Sequence, residues 1–336
     1  MAVEAPTPDP GVSTGADGLL GVRGLTVTLK AHGGTLRAVN DVSFSLGAGR
    51  IVAILGESGS GKSMLLKTIL GIQPTNATVA GSVEMRGVDL VTMPPKARQR
   101  IRGDWLSMIF QNPMTALDPV YTVEDQIVET IRRHTKATRA EARARALQLL
   151  ELVQISSPEQ RLKAYPFECS GGMRQRIVIA MALACNPSLL LADEPTTALD
   201  VTVQARVLAL IRDLRDRTGM GVVLVTHDIS VAAEIADEVI VMYAGRIVER
   251  GPIRELMREP RHPYTRGLLA ANVRPGQQER PVAIPGSPPN LAMLPDRCAF
   301  APRCAYALER CWTTVPLLTE LGNDRAIRCD VVLGRA

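Results

Sequence analysis

The stretch Arg50–Leu55, RIVAIL, running straight into GESGSGKS, restricts this chain more than any other part of it. A short, nearly all-apolar segment suits a strand buried on both faces of a sheet. The next eight residues, Gly56, Glu57, Ser58, Gly59, Ser60, Gly61, Lys62 and Ser63, match the pattern GxxxxGK[ST]. Glycines there let the backbone curl so that successive N–H groups face the phosphates of a nucleotide. The helix that follows, SMLLKTILG, carries Met64 in its first turn, is closed by Gly71 and adds its positive end. Lys62 supplies a point charge, and the Ser63 hydroxyl a ligand for Mg²⁺. A Gly-rich turn could match by chance, but the strand before and the helix after are the context this loop requires.

LLLADEP (189–195) is the partner element. Its apolar strand ends in Asp193, suited to hold Mg²⁺ through water, and Glu194, suited to polarise an attacking water. Strands are expected at VRGLTVTLK, VNDVSFSL, Ser82–Met85, 105–110, GVVLVTH, EVIVMY and GRIVER. Helical spacing runs from Thr122 to about Val153, and again over SGGMRQRIVIAMALACN, VTVQARVLALIRDLRDRTG and Ser230–Ala236. Strands alternating with helices predict an α/β fold with a mixed, mainly parallel sheet covered on both faces.

These elements define a P-loop NTPase, and Ser170-Gly-Gly-Met-Arg-Gln-Arg176 narrows the class. Here the chain resembles the ABC ATPases, whose signature is usually LSGGQ. The resemblance implies that Ser170, Gly171 and Gly172 open a helix whose positive end meets the γ-phosphate of an ATP held by an opposing subunit. It also makes Gln111 the Q-loop residue, a contact to Mg²⁺ and to the membrane partner. Thr197–Asp200 becomes the D-loop, with Asp200 at the nucleotide interface, and His227 the switch histidine that contacts the γ-phosphate. Cys169 stands where the family has a larger apolar residue, and is expected to pack as a small hydrophobe. The aromatic residue that stacks on adenine is replaced by Leu29, so adenine would rest on an aliphatic surface with Val39 nearby.

QNPMTALDP, ADEPTTALDVTVQ, RHPYTRGLL, IPGSPPNL and RCAFAPRC extend the resemblance, which looks like the oligopeptide/dipeptide importer branch. That branch implies a second ABC ATPase subunit in a heterodimer, two transmembrane permease subunits and, through them, an extracytoplasmic substrate-binding protein. Nickel complexes or glutathione are other cargoes of related systems. A DNA- or ribosome-linked ATPase is the remaining alternative. A chromosome-maintenance ATPase would interrupt Ser63–Ser170 with sustained heptads, and none occur. A ribosome factor would carry two such domains where this chain has one. The net charge of +5 is mild and gives no reason to expect nucleic acid. No signal peptide and no apolar run of bilayer length is seen, so the chain is expected at the cytoplasmic face of the cell membrane, as a peripheral protein.

The expected organisation is a disordered tail over 1–18, an ABC ATPase domain over 19–255 with a helical subdomain at about 112–175, and an irregular region over 256–336. Four of the six cysteines fall in that last region: Cys298, Cys304, Cys311 and Cys329. It is Pro-rich and poor in large apolar residues, so a staple is expected. Disulfides are disfavoured in the cytoplasm. The spacing C-x₅-C-x₆-C-x₁₇-C lacks the paired knuckles that structural zinc sites favour. Iron–sulfur, zinc and free thiols all stay open on the residues alone. Some members of the importer branch carry this pattern with a 4Fe–4S cluster, which the resemblance places on these four cysteines.

Overall fold

The computed structural model describes residues 18–31, 34–112, 116–197, 199–271 and 282–334. The expected N-terminal tail up to residue 17, part of QNPMTALDP, Ala198, and part of the Pro-rich segment after the last helix lie outside them.

In chain order, β1 (Gly18–Ala31), β2 (Gly34–Gly47) and β3 (Ile51–Leu55) lead into α1 (Lys62–Leu70). Then come β4 (Ala77–Met85), β5 (Val88–Asp89), α2 (Pro95–Ile101) and β6 (Leu106–Ile109). Helices α3 (Val123–His134), α4 (Arg139–Leu152), α5 (Pro158–Leu162) and α6 (Gly171–Ala182) come next. The chain continues through β7 (Leu189–Asp193), α7 (Val201–Thr218), β8 (Gly221–Thr226) and α8 (Ile229–Ile235). It finishes with β9 (Glu238–Tyr243), β10 (Arg246–Pro252), α9 (Ile253–Arg258), α10 (Pro263–Ala271), β11 (Thr319–Gly322) and β12 (Arg325–Ile327). The fold is α/β, as expected. Among the described residues no helix is long and apolar enough to cross a membrane.

The chain divides into two compact units. The first takes residues up to 47, then 51–92, then 226 onward. Its antiparallel sheet has the order β2-β1-β4-β5. Each of β1 and β2 runs for 14 residues, well past the short strands that VRGLTVTLK and VNDVSFSL suggest. Register shifts along their pairing explain the discrepancy: the bulges break the strict alternation that sequence patterning relies on. In its other sheet β3 pairs in parallel with β9, which continues antiparallel through β10 and β12 to β11. Every residue of β3 is buried, which is why its sequence is a continuous apolar run. Helix α1 packs on β1 and β2 and stops at Gly71, whose left-handed φ of 74° lets the cap N–H reach the last carbonyls.

The second unit comprises residues 48–50 and 93–225. Strands β6, β7 and β8 pair in parallel. Helix α6 packs on β6, and α4 packs on α3, α5 and α6. The helical stretch from Thr122 to Val153 is two helices, because Thr138 restarts it with a full capping box. The Thr138 hydroxyl accepts from the Glu141 N–H, while the Glu141 carboxylate takes the Thr138 N–H. Thr122 caps α3 in a related way, with Glu124 and Asp125 in its first turn and Arg132, Arg133 and His134 in its last. The two acids and the two arginines complement the helix dipole at its two ends.

Candidate functional site

In the first unit, β3 delivers Gly56–Ser63 to the N-terminus of α1. Two glycines are irreplaceable here. A Cβ on Gly56 would sit 2.3 Å from the Met242 carbonyl oxygen, and one on Gly61, at φ 100°, 2.1 Å from that of Ala38. The loop is pinned further by hydrogen bonds from Ser60 N–H to Glu57 O (3.2 Å) and from Gly245 N–H to Ser60 O (3.0 Å). Ser58 and Gly59 are exposed at its tip, while Ser63 and Met64 are half-buried on the first turn of α1.

Lys62 is 5% exposed, and its Nζ donates to Gly56 O (2.7 Å) and Glu57 O (2.9 Å), with Ser60 Oγ at 3.4 Å. Carbonyl oxygens of the loop's own backbone thus solvate the buried ammonium and hold it at the inner curl of the loop, where phosphate oxygens of a nucleotide would meet it. Leu29, on β1, is half-buried and pairs with Leu36 and Ala77. Val39 is fully buried and stands opposite Val27 in the register of β1 and β2. His227 is exposed at the turn between β8 and α8. Thr226 Oγ1 accepts from Asp228 N–H (3.0 Å), and Asp228 caps α8 through Ser230 N–H (2.8 Å).

In the second unit, Asp193 ends β7 and is buried. Glu194 comes next with φ 48°, a left-handed conformation that non-glycine residues rarely hold unless their surroundings fix it. Here its N–H donates to Val225 O (2.9 Å), and its carbonyl accepts from Thr197 N–H (3.2 Å). The carboxylate Oε2 accepts from Gln111 Nε2 (3.1 Å) and Thr197 Oγ1 (2.8 Å). Ser170 caps α6 through Met173 N–H (3.3 Å). A Cβ on Gly171 would meet nothing within 4 Å, whereas one on Gly172 would come within 2.8 Å of Val203 Cγ1. Asp200 caps α7 through Val203 N–H (2.9 Å). Cys169 is buried, and burial pushes its thiol up from the ordinary range, in keeping with a packing role.

The sequence-predicted residues thus fall into two groups: Leu29, Gly56–Met64 and His227 in the first unit; Gln111, Ser170–Gly172, Asp193, Glu194 and Asp200 in the second.

Cys298, Cys304, Cys311 and Cys329, all in the first unit, line one small recess together with His262 and Phe300. None of them forms a disulfide. Burial pushes the Cys298 thiol up to about 11 and also raises those of Cys304 and Cys329. Among the described residues no three His, Cys, Asp or Glu side chains gather closely enough to hold a single metal ion. A zinc tetrahedron brings its sulfurs within roughly 3.8 Å of one another, from Zn–S bonds of about 2.3 Å.

Sequence reasoning missed Tyr264 and Arg303, which meet the phosphate loop from the C-terminal part of the chain, and Tyr243 of β9, whose hydroxyl accepts from Arg303 (3.3 Å). Tyr264 Oη accepts from Glu57 N–H (2.9 Å), and the Arg303 guanidinium pairs with the Glu57 carboxylate. Separations of 207 and 246 residues leave no local pattern that could reveal these contacts.

Residues 39–197 match the family model for ABC transporters, and residues 248–311 match that for the oligopeptide/dipeptide transporter C-terminal region. A peptide import ATP-binding protein of Brucella melitensis is 48% identical over 93% of this chain and 96% of its own length. The oligopeptide transport ATP-binding protein OppD of Escherichia coli is 44% identical over 94% of this chain and 93% of its own. Among solved structures, an ATP-binding cassette dimer in a post-hydrolysis state with ADP and Pi is 29% identical, at a TM-score of 0.63. It covers 70% of this chain and 99% of its own. With the phosphate loop, the Asp193–Glu194 pair and the Ser170–Gly172 helix start in place, the chain belongs to the ATP-hydrolysing, ATP-binding subunits of ABC transporters, in the branch with the oligopeptide/dipeptide transporter C-terminal region.

Proposed function

We propose that this chain powers the import of oligopeptides or dipeptides across the cytoplasmic membrane by ATP-driven closure against a second ATPase subunit. The observation that carries the reading is the buried Lys62 ammonium, aimed into a loop that tolerates no side chain at Gly56 or Gly61. The names of the relatives and the matched C-terminal region support the peptide cargo.

In this reading the N–H groups of Gly56–Ser63 and the charge of Lys62 bind the phosphates, with Met64 extending the donors into α1 and Leu29 lying against adenine. Ser63, Asp193 and Gln111 would hold Mg²⁺, which would supply charge neutralisation at the phosphate oxygens. Glu194 accepts a proton from the attacking water, while His227 orients the γ-phosphate. Ser170, Gly171, Gly172 and Asp200 serve the opposing subunit's nucleotide. Catalysis of this kind rests on positioning and electrostatics, without covalent intermediates. Its partners are two permease subunits, reached through the helical segment after Gln111, and a binding protein on the far side. The chain sits at the inner face of the membrane, and residues 19–255 and 256–336 act as its ATPase domain and importer-specific region.

The four cysteines fit a 4Fe–4S cluster. They are unpaired with one another, share one recess, and lie in a segment whose regular structure is limited to short 3₁₀ turns and the two short strands β11 and β12. A cube of iron and sulfide spans thiolates set wider apart than one ion can. Bound there, the cluster would cross-link the segment. Reconstitution with the co-encoded permeases tests the transport reading: ATP-dependent uptake of a labelled tripeptide is expected, and uptake of a nickel complex alone overturns the peptide cargo.

A further inference from the structure

The Arg303–Glu57 contact joins two parts of the first unit that chemistry would otherwise keep separate. Glu57 is the second residue of the phosphate loop. Arg303 lies in a short 3₁₀ turn immediately before Cys304. The guanidinium grips the carboxylate with both arms, Nη1 to Oε2 at 2.6 Å and Nη2 to Oε1 at 3.0 Å. Its side chain is 4% exposed, against 27% for Glu57.

Planar, two-armed pairing is the strongest geometry available to an arginine and a carboxylate. The Arg303 side is over-determined: Nε donates to Pro285 O (2.8 Å), and Nη1 also reaches Tyr243 Oη (3.3 Å). Its carbon lies 5.8 Å from the centre of the Tyr243 ring. Tyr243, Tyr264 and Phe300 form a mutually packed aromatic cluster beneath it. Tyr264, itself fully buried, closes the same loop residue from the backbone side by accepting from Glu57 N–H. Glu57 O, in turn, accepts from Lys62 Nζ (2.9 Å). The chain of contacts therefore runs from the cysteine-bearing segment, through one carboxylate, to the ammonium that meets the nucleotide.

We propose that Arg303 is a positioning residue for ATP binding: by clamping Glu57 it fixes the phosphate loop in its receptive curl, so that the C-terminal segment sets nucleotide affinity. The hydrogen bonds to Glu57 also hold the Arg303 charge more firmly than solvent would, in accord with a permanent clamp. The inference rests on the loop being the ATP site, and needs no assumption about what the cysteines hold.

The test uses the full-length chain, free and assembled with its partners, and ATP itself as the probe. Arg303→Gln and Glu57→Gln should each weaken ATP binding by about tenfold to a hundredfold, the range for losing a charge-assisted contact. In the assembled complex KM for ATP should rise by a similar factor, with kcat within about threefold of wild type. The double variant should bind no more weakly than the worse single one, and Arg303→Lys should recover part of the loss. Both single variants binding ATP within about twofold of wild type, or additive losses in the double variant, would overturn the clamp. Should Arg303→Gln fail to fold, Glu57→Gln decides alone: lost affinity with an unchanged melting temperature supports the clamp, and retained affinity overturns it. Lys62→Ala in the same assay separates the two readings, because wild-type affinity there would instead remove the ATP site from this loop.

Discussion

Gln111 Nε2 donates to Glu194 Oε2 at 3.1 Å, across 83 residues of sequence. Thr197 Oγ1 donates to the same oxygen at 2.8 Å. One carboxylate oxygen is thus held by two side chains, which fixes the orientation of the carboxylate. The left-handed backbone at Glu194 turns the residue out of the β7 direction that Asp193 still keeps. The two adjacent acids therefore leave the strand in different directions.

Glu194→Gln preserves the shape of the side chain and removes its basicity. ATP binding should stay near wild type, while turnover of the assembled complex falls by roughly 10²–10⁴-fold. Steady-state ATPase rates and equilibrium ATP binding, measured on the same preparation, check this. A rate within about threefold of wild type would remove Glu194 from the base role.

Gly171 has open space where a side chain would project, and Gly172 has Val203 in that place. Gly171→Gln should leave the melting temperature and ATP binding of the isolated chain unchanged, yet cut turnover of the assembled complex severely. Gly172→Val should also strain α6 against α7 and lower the melting temperature. The isolated wild-type chain should be monomeric and a poor ATPase. High ATPase activity independent of its concentration would count against a nucleotide shared between subunits.

The cysteine recess makes a prediction readable by eye. Protein purified without oxygen should be brown, absorb near 400 nm, and contain about four irons per chain. One zinc in colourless protein would replace the cluster with the rival metal, and four titratable thiols in metal-free protein would exclude both. Cys169→Ala and Cys185→Ala should leave colour and metal content unchanged.

At Glu141, hydrogen bonds from the Thr138 N–H and hydroxyl hold the carboxyl below its usual range. A lowered folded-state value means that its contribution to stability is complete above the ordinary carboxylate range and is lost as pH falls through the folded value. Glu141→Gln should therefore speed hydrogen exchange at the first amides of α4 at neutral pH. The gap between variant and wild type should close in acid, and a gap that persists undiminished there would contradict the assignment.

Much of this architecture was legible because its signals are local. The strand at Leu189–Asp193 is a continuous apolar run, α1 ends at Gly71, α7 ends at Gly219, and Ser170 starts α6 as a capping serine should. Failures arose where distant parts of the chain supply the missing partner. The last two strands are too short to show a period, and exist because β12 pairs with β10. The helix Ile253–Arg258 begins directly after a strand-ending proline and carries no side-chain cap. Leu29 and Val39 look alike in the sequence, yet Val39 is fully buried while Leu29 is half-buried, and only the fold decides that. Likewise Arg303 reads as one more basic residue beside a cysteine until the fold brings Glu57 to it.

The β10–β12 pairing has a consequence for how the chain is made. Glu249 is 1% exposed and receives N–H groups from Arg261 and His262 before Arg325 reaches it at 3.2 Å. Arg328 N–H donates to Val248 O at 2.9 Å, alongside. During synthesis, therefore, β9 and β10 emerge early and wait, one edge unpaired and one acid lacking its counter-ion, until Arg325–Arg328 have left the ribosome. Folding of the first unit cannot run from front to back. A nascent chain stalled before Arg325 would present an open strand to its neighbours, and that is the length at which chaperones should find it most often.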